Sequence, residues 1–88
     1  MNTKELEQTY ELSVYPRRDI VLVGGKGARL FDDQGKEYID CASNVGVSNI
    51  GHGHAEVAKA IRDQYLTLGN CYGMFYNPVR ASLAEKLA

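Results

Sequence analysis

The stretch "DIVLVGGKGARLFDDQGKEYIDCA", residues 19–42, decides how this chain folds. Three β-prone runs, residues 20–23, 28–32 and 37–41, alternate with "GGKG" and "DQGK". Glycine in each connection supplies the positive φ that a tight hairpin demands. The pattern predicts a three-stranded antiparallel meander.

Upstream, Leu6, Tyr10 and Val14 recur at intervals of four among Lys4, Glu5, Glu7 and Glu11. This spacing predicts an amphipathic helix over residues 1–14, ended by Pro16, whose predecessor is pushed toward extended geometry. Downstream, Val57, Ile61, Tyr65 and Leu68 recur at helical spacing, with Glu56, Lys59, Arg62 and Asp63 on the other side. They predict a helix of about fifteen residues that stops near Gly69. Asn77 and Pro78 then supply an N-cap and a first-turn proline for a last helix, with Val79, Leu83 and Leu87 as its apolar stripe. One meander and three helices offer too little surface to cover both sheet faces and every helical stripe. The sequence therefore reads as the opening section of a larger protein.

The chain has 88 residues, 44% hydrophobic and 24% charged, within the globular range. Its net charge is −1 and no block of like charge occurs, which argues against a nucleic-acid footprint. The longest uncharged run, "CASNVGVSNIGHGHA", is too broken by glycine and polar residues to span a bilayer. "MNTKELEQTYELS" lacks the apolar core of a signal peptide, and its glutamates argue against a transit peptide. The expected compartment is the cytoplasm. Cys41 and Cys71 form no CxxC and no disulfide framework, and are expected to be plain buried thiols.

Residues 43–54, "SNVGVSNIGHGH", are dense in glycine, histidine and asparagine. A phosphate loop of the GxxxxGK[ST] kind fails, because His52 and Gly53 stand where lysine and hydroxyl belong. A dinucleotide fingerprint fails at Glu56, where the third glycine belongs. His52 and His54 are the only histidines, and no HExxH or cysteine pair joins them into a metal site. Ser13, Ser43, Ser48 and Ser82 lie outside any GxSxG. What remains is a turn that permits close backbone approach and launches a helix, a wall of a site rather than its chemistry.

"GKGARLFDDQGKEYIDC", "GVSNIGHGHAEV" and "YNPVRASLAEKLA" together resemble the opening of class III aminotransferases, the ω-amino-acid transaminases of the pyridoxal-phosphate fold type I superfamily. The likeness covers nearly all of residues 14–88. It implies an α/β fold of which this chain is the N-terminal part: residues 1–18 an N-terminal helix and arm, 19–42 the meander of the small domain, and 43–88 the turn and two helices leading to the large domain. Within the family, "YIDCASNVGVSNIGHGH" is similar to acetylornithine aminotransferases and to relatives acting on a carrier-linked lysine in lysine biosynthesis. Ornithine-type enzymes carry tyrosine where this chain has Val45, which favours an acylated diamine substrate.

The resemblance assigns Tyr15, Ser43, Asn44 and Val45 to the substrate pocket, with Tyr15 at the substrate's distal end. It implies pyridoxal 5'-phosphate as cofactor, a small-molecule amino donor with 2-oxoglutarate as acceptor, an amino-group carrier protein as a further partner, and a homodimer. None of Lys4, Lys26, Lys36, Lys59 and Lys86 matches the family's Schiff-base lysine. No catalytic, cofactor-binding or metal residue is therefore assigned here, and residues 1–88 alone are expected to be inactive. One departure is that Tyr72 and Gly73 stand where many acetylornithine enzymes have Ser-Asn. The alternatives are another class III member, such as a 4-aminobutyrate or ornithine transaminase or a glutamate-semialdehyde aminomutase, and a non-catalytic interaction module.

Overall fold

The computed structural model describes residues 1–88, in the order α1 (Thr3–Tyr10), β1 (Leu22–Lys26), β2 (Arg29–Asp32), β3 (Glu37–Ile39), α2 (Ser43–Gly46), α3 (Ala55–Leu68) and α4 (Pro78–Leu87). Two compact units divide the chain, Met1–His54 and Ala55–Ala88.

In the first unit, α1 starts with a reciprocal capping box. The Glu5 amide donates to Asn2 Oδ1 at 2.9 Å, and the Asn2 amide donates to Glu5 Oε2 at 2.9 Å. The helix is shorter than its apolar spacing predicts, because Glu11 is already extended at φ −103° and ψ 150°. Its last turn has no basic residue, and Glu7 and Glu11 crowd the end where negative charge opposes the helix dipole. The Arg17 guanidinium returns from the following arm to pair with both.

The predicted meander is present, with strand order β1-β2-β3 and both pairings antiparallel. Its first strand lies further along the chain than the β-prone run 20–23. Gly24, Gly25 and Lys26 pair with Phe31, Leu30 and Arg29, leaving only Gly27 and Ala28 as the connection. Gly27, at φ 59°, makes so short a turn possible. The ladder shifts register between Leu22 and Gly24, so Val23 is bulged.

Asp32 organises the second hairpin. Its Oδ1 accepts the amides of Gln34 at 2.9 Å and Lys36 at 2.8 Å, and its Oδ2 accepts the Tyr38 hydroxyl at 2.9 Å. Asp32 is the one buried residue of the chain, and three donors offset the cost of removing a carboxylate from water. The third strand ends at Ile39 rather than at Cys41, because Asp40 turns its side chain onto the backbone ahead.

In the second unit, α3 ends at Leu68, as its spacing predicts. Gly69 follows without a left-handed φ; a Cβ there would lie 2.7 Å from Cδ2 of the Tyr65 ring, so the glycine makes room for that ring. Asn77 caps α4 by accepting the Arg80 amide at 3.0 Å, with Pro78 in the first turn.

No apolar side chain in either unit is buried. Val57, Ile61, Tyr65 and Leu68 of α3, and Val79, Leu83 and Leu87 of α4, all remain exposed. The expectation of buried thiols fails for the same reason: Cys41 is exposed and Cys71 only half-buried. Hydrogen bonds contribute only ~1 kcal/mol each in net terms, so a fold without buried apolar surface lacks the main force that makes unfolding cooperative. The 88-residue polypeptide on its own should therefore show no sharp thermal transition and little near-ultraviolet circular dichroism. A steep, reversible melt would contradict this account.

Candidate functional site

The meander hands the chain to residues 43–54 through one carboxylate. Asp40 Oδ1 accepts the amides of Ala42 at 3.0 Å and Ser43 at 2.8 Å, while Oδ2 meets His52 Nε2 at 2.7 Å. The two side chains keep 10% and 24% of their surface exposed. An ionised carboxylate only accepts, so Nε2 carries the proton in this contact.

His52 is also fixed through its backbone. It exchanges two hydrogen bonds with Gly27, each 2.8 Å, so the turn of the first hairpin and the glycine-rich stretch form an antiparallel bridge. Glycine is required on both sides of this approach. A Cβ on Gly51, at φ 87°, would lie 3.0 Å from the Gly27 Cα, and a Cβ on Gly25 would lie 2.9 Å from the His52 Cβ. The close backbone approach expected of the glycines is thus made to the hairpin.

Between these anchors, α2 is a single turn of unusual hand. Ser43, Asn44 and Val45 have φ values of 50°, 52° and 59°. For L-residues this region costs roughly 1–2 kcal/mol each, and it is least suited to a β-branched residue such as valine. The turn is held by hydrogen bonds from the Gly46 amide to the Ala42 carbonyl at 3.1 Å and from the Ser48 amide to the Ser43 carbonyl at 2.8 Å. Strain of this kind persists where surrounding contacts over-determine it, and it concentrates at binding sites.

Of the residues singled out in the sequence, the structure brings Ser43, Asn44 and Val45 together on this turn, with Val45 94% exposed. Tyr15 lies in the arm between α1 and β1 with an exposed ring. Asp40, Cys41 and Ala42, just before the turn, line a groove of about 530 Å³ together with Leu22 and Leu30. The Asp40–His52 pair escaped sequence reasoning because its partners are distant along the chain. An aspartate three residues before a serine that opens a turn was the one local signal.

A family profile described as aminotransferase class-III matches residues 13–88. The chain belongs to the class-III aminotransferases. The acetylornithine aminotransferase of Methanopyrus kandleri is 39% identical over 88 residues, which is 100% of this chain and 23% of that protein. The [LysW]-aminoadipate semialdehyde transaminase of Deinococcus radiodurans is 43% identical over 58 residues, 66% of this chain and 14% of that protein. Among solved structures, the acetylornithine aminotransferase of Elizabethkingia anophelis superposes with a TM-score of 0.89 at 30% identity, over 96% of this chain and 22% of that one. The chain thus spans less than a quarter of the length of these relatives. The predicted fold, the N-terminal part of a fold type I aminotransferase, agrees with this superposition.

Class-III aminotransferases as a family use pyridoxal 5'-phosphate and take an amino donor and an acceptor. No lysine of residues 1–88 is buried. Lys4 is paired with Asp19, Lys59 with Asp63 at 2.6 Å, and Lys36 lies 5.1 Å from the centre of the Tyr38 ring. Lys26 and Lys86 stand exposed at the end of a strand and a helix.

Electrostatics give the site a defined acid response. His52, then the Ser43 and Ala42 amides, hold the Asp40 carboxyl below its ordinary value of 3.8. Burial pushes the Asp32 carboxyl up, but the Lys36 amide, the Tyr38 hydroxyl and the Gln34 amide together bring it below the same value. A carboxylate depressed on folding adds stability that is present above its unfolded pKa and is lost as the pH falls through its folded one. The Ala42 and Ser43 amide resonances should therefore titrate with a midpoint below 3.8, and Asp40→Asn should abolish that titration. The close approach of the two turns gives a second expectation, for the complete protein rather than for residues 1–88 alone. Gly51→Ala should cost about 1–3 kcal/mol in denaturant unfolding, whereas Gly24→Ala, whose Cβ would meet only Phe31 at ordinary distance, should change it by less than ~1 kcal/mol.

Proposed function

We propose that residues 1–88 are the N-terminal part of a pyridoxal-phosphate-dependent aminotransferase. The complete enzyme transfers the ω-amino group of an acylated diamino acid, acetylornithine or a carrier-linked lysine, to 2-oxoglutarate in arginine or lysine biosynthesis. The observation that carries this reading is the similarity, along the whole of this chain, to part of a protein named acetylornithine aminotransferase. In this reading residues 1–18 form the N-terminal helix and arm, 19–42 the small-domain meander, and 43–88 the turn and helices leading to the large domain.

Ser43, Asn44 and Val45 form one wall of the donor pocket, and Tyr15 contacts the donor's distal end. The left-handed turn supports this assignment, since it leaves Asn44 and Val45 exposed and Ser43 half-buried on a strained, tethered segment. Valine at position 45 leaves room for an acyl group and offers no hydroxyl to a free amine. The groups that hold the cofactor belong to sequence outside residues 1–88. The similarity to a transaminase whose name includes LysW supports a carrier protein as the donor's bearer. The enzyme works as a cytoplasmic homodimer.

The test is glutamate formation from 2-oxoglutarate by the complete protein, with N-acetylornithine and free ornithine as competing donors. The acylated donor should be preferred, and Val45→Tyr should move the kcat/KM ratio toward free ornithine by roughly tenfold. Equal use of both donors, unmoved by the substitution, would exclude the substrate assignment. Residues 1–88 alone should form no glutamate.

A further inference from the structure

We propose that Asp40 and His52 are positioning residues for the amino-transfer reaction, acting as a relay that fixes the donor-pocket wall at Ser43, Asn44 and Val45. The inference rests on the reading of those three residues as the donor wall.

The relay has a fixed end and a working end. At the fixed end, His52 is bound through both backbone groups to Gly27, and the absence of side chains at Gly25 and Gly51 lets the strands approach closely. From there Nε2 donates across 2.7 Å to Asp40 Oδ2. At the working end, Asp40 Oδ1 draws in the amides of Ala42 and Ser43. These amides are where the chain enters the left-handed turn, whose body is closed by the bonds from the Gly46 amide to the Ala42 carbonyl and from the Ser48 amide to the Ser43 carbonyl. A strained segment persists only where surrounding contacts over-determine it, and at its entry the side-chain contacts come from one carboxylate. The orientation of that carboxylate is in turn set by His52. Neither side chain need touch the substrate, so the effect should fall on donor binding rather than on the chemical step.

The experiment uses the complete enzyme with His52→Ala, His52→Gln and Asp40→Ala, and reads kcat and KM separately for N-acetylornithine and 2-oxoglutarate, with thermal stability alongside. His52→Ala and Asp40→Ala should raise the donor KM by about tenfold while leaving kcat and the 2-oxoglutarate KM within about twofold. His52→Gln, whose side-chain amide can still donate to Asp40, should recover most of the donor KM. Hydrogen exchange at the Ala42 and Ser43 amides should quicken in His52→Ala and return toward the wild-type rate in His52→Gln.

An unchanged donor KM in His52→Ala overturns the relay. So does an equal loss for both substrates that tracks thermal stability and is not recovered by glutamine, since that pattern is purely structural. Val45→Tyr and Val45→Ala separate the two levels of inference. If they alter the donor KM while the His52 and Asp40 variants do not, the wall stands and the relay falls. If the Val45 variants also leave the donor KM unchanged, the wall assignment has failed and the relay falls with it.

Discussion

The Asp40 carboxylate connects the two parts of the first unit. One oxygen closes the chain over the end of the third strand, and the other takes the histidine that the first hairpin turn holds by its backbone. This group acts together with the bridge between Gly27 and His52 to join the meander to the glycine-rich stretch. Asp32 plays a parallel part within the meander, gathering two amides and a phenol. Two aspartates, each with three donors, thus organise a structure that has no apolar interior of its own.

That lack of interior is as informative as the hydrogen bonds. An amphipathic helix takes most of its stability from burying its apolar face. The stripes on α3 and α4 have the pattern for burial but remain exposed, as do Leu22, Val23 and Ile39 of the sheet. The superposition on a full-length aminotransferase, of which the chain matches 22%, gives these faces a natural explanation: they are surfaces of a larger fold. Geometry within the 88 residues is set by capping, turn chemistry and carboxylate hydrogen bonds, and cooperativity has to come from elsewhere.

These local determinants explain what could be read from the sequence. The meander, the helix ending at Leu68 and the Asn77–Pro78 helix start all follow from signals within a few residues, and all are present. The misplacements have local causes too. The first strand runs to Lys26 because a two-residue turn sufficed where the glycines suggested a longer one, and α1 stops early because Glu11 is already extended. The family was legible because "GVSNIGHGHAEV" and its neighbours match a known pattern. The Asp40–His52 pair was not, because a contact between residues far apart in the chain leaves no periodicity. Nor did composition hint that three non-glycine residues would adopt left-handed geometry together; that follows from anchors on either side of them.

The contact between Gly25 and His52 bears on how such a segment can change over generations. A methyl group at position 25 would overlap the first two carbons of the histidine side chain, which is too firmly tethered to swing aside. Any larger residue at 25 therefore becomes acceptable only once position 52 has lost its own Cβ as well as its ring, and that first step gives up the bond to Asp40. The two sites form a ratchet. A lineage that acquired the histidine while position 25 was glycine could not easily alter either residue alone, so both would persist through drift that freely rewrites the exposed positions around them.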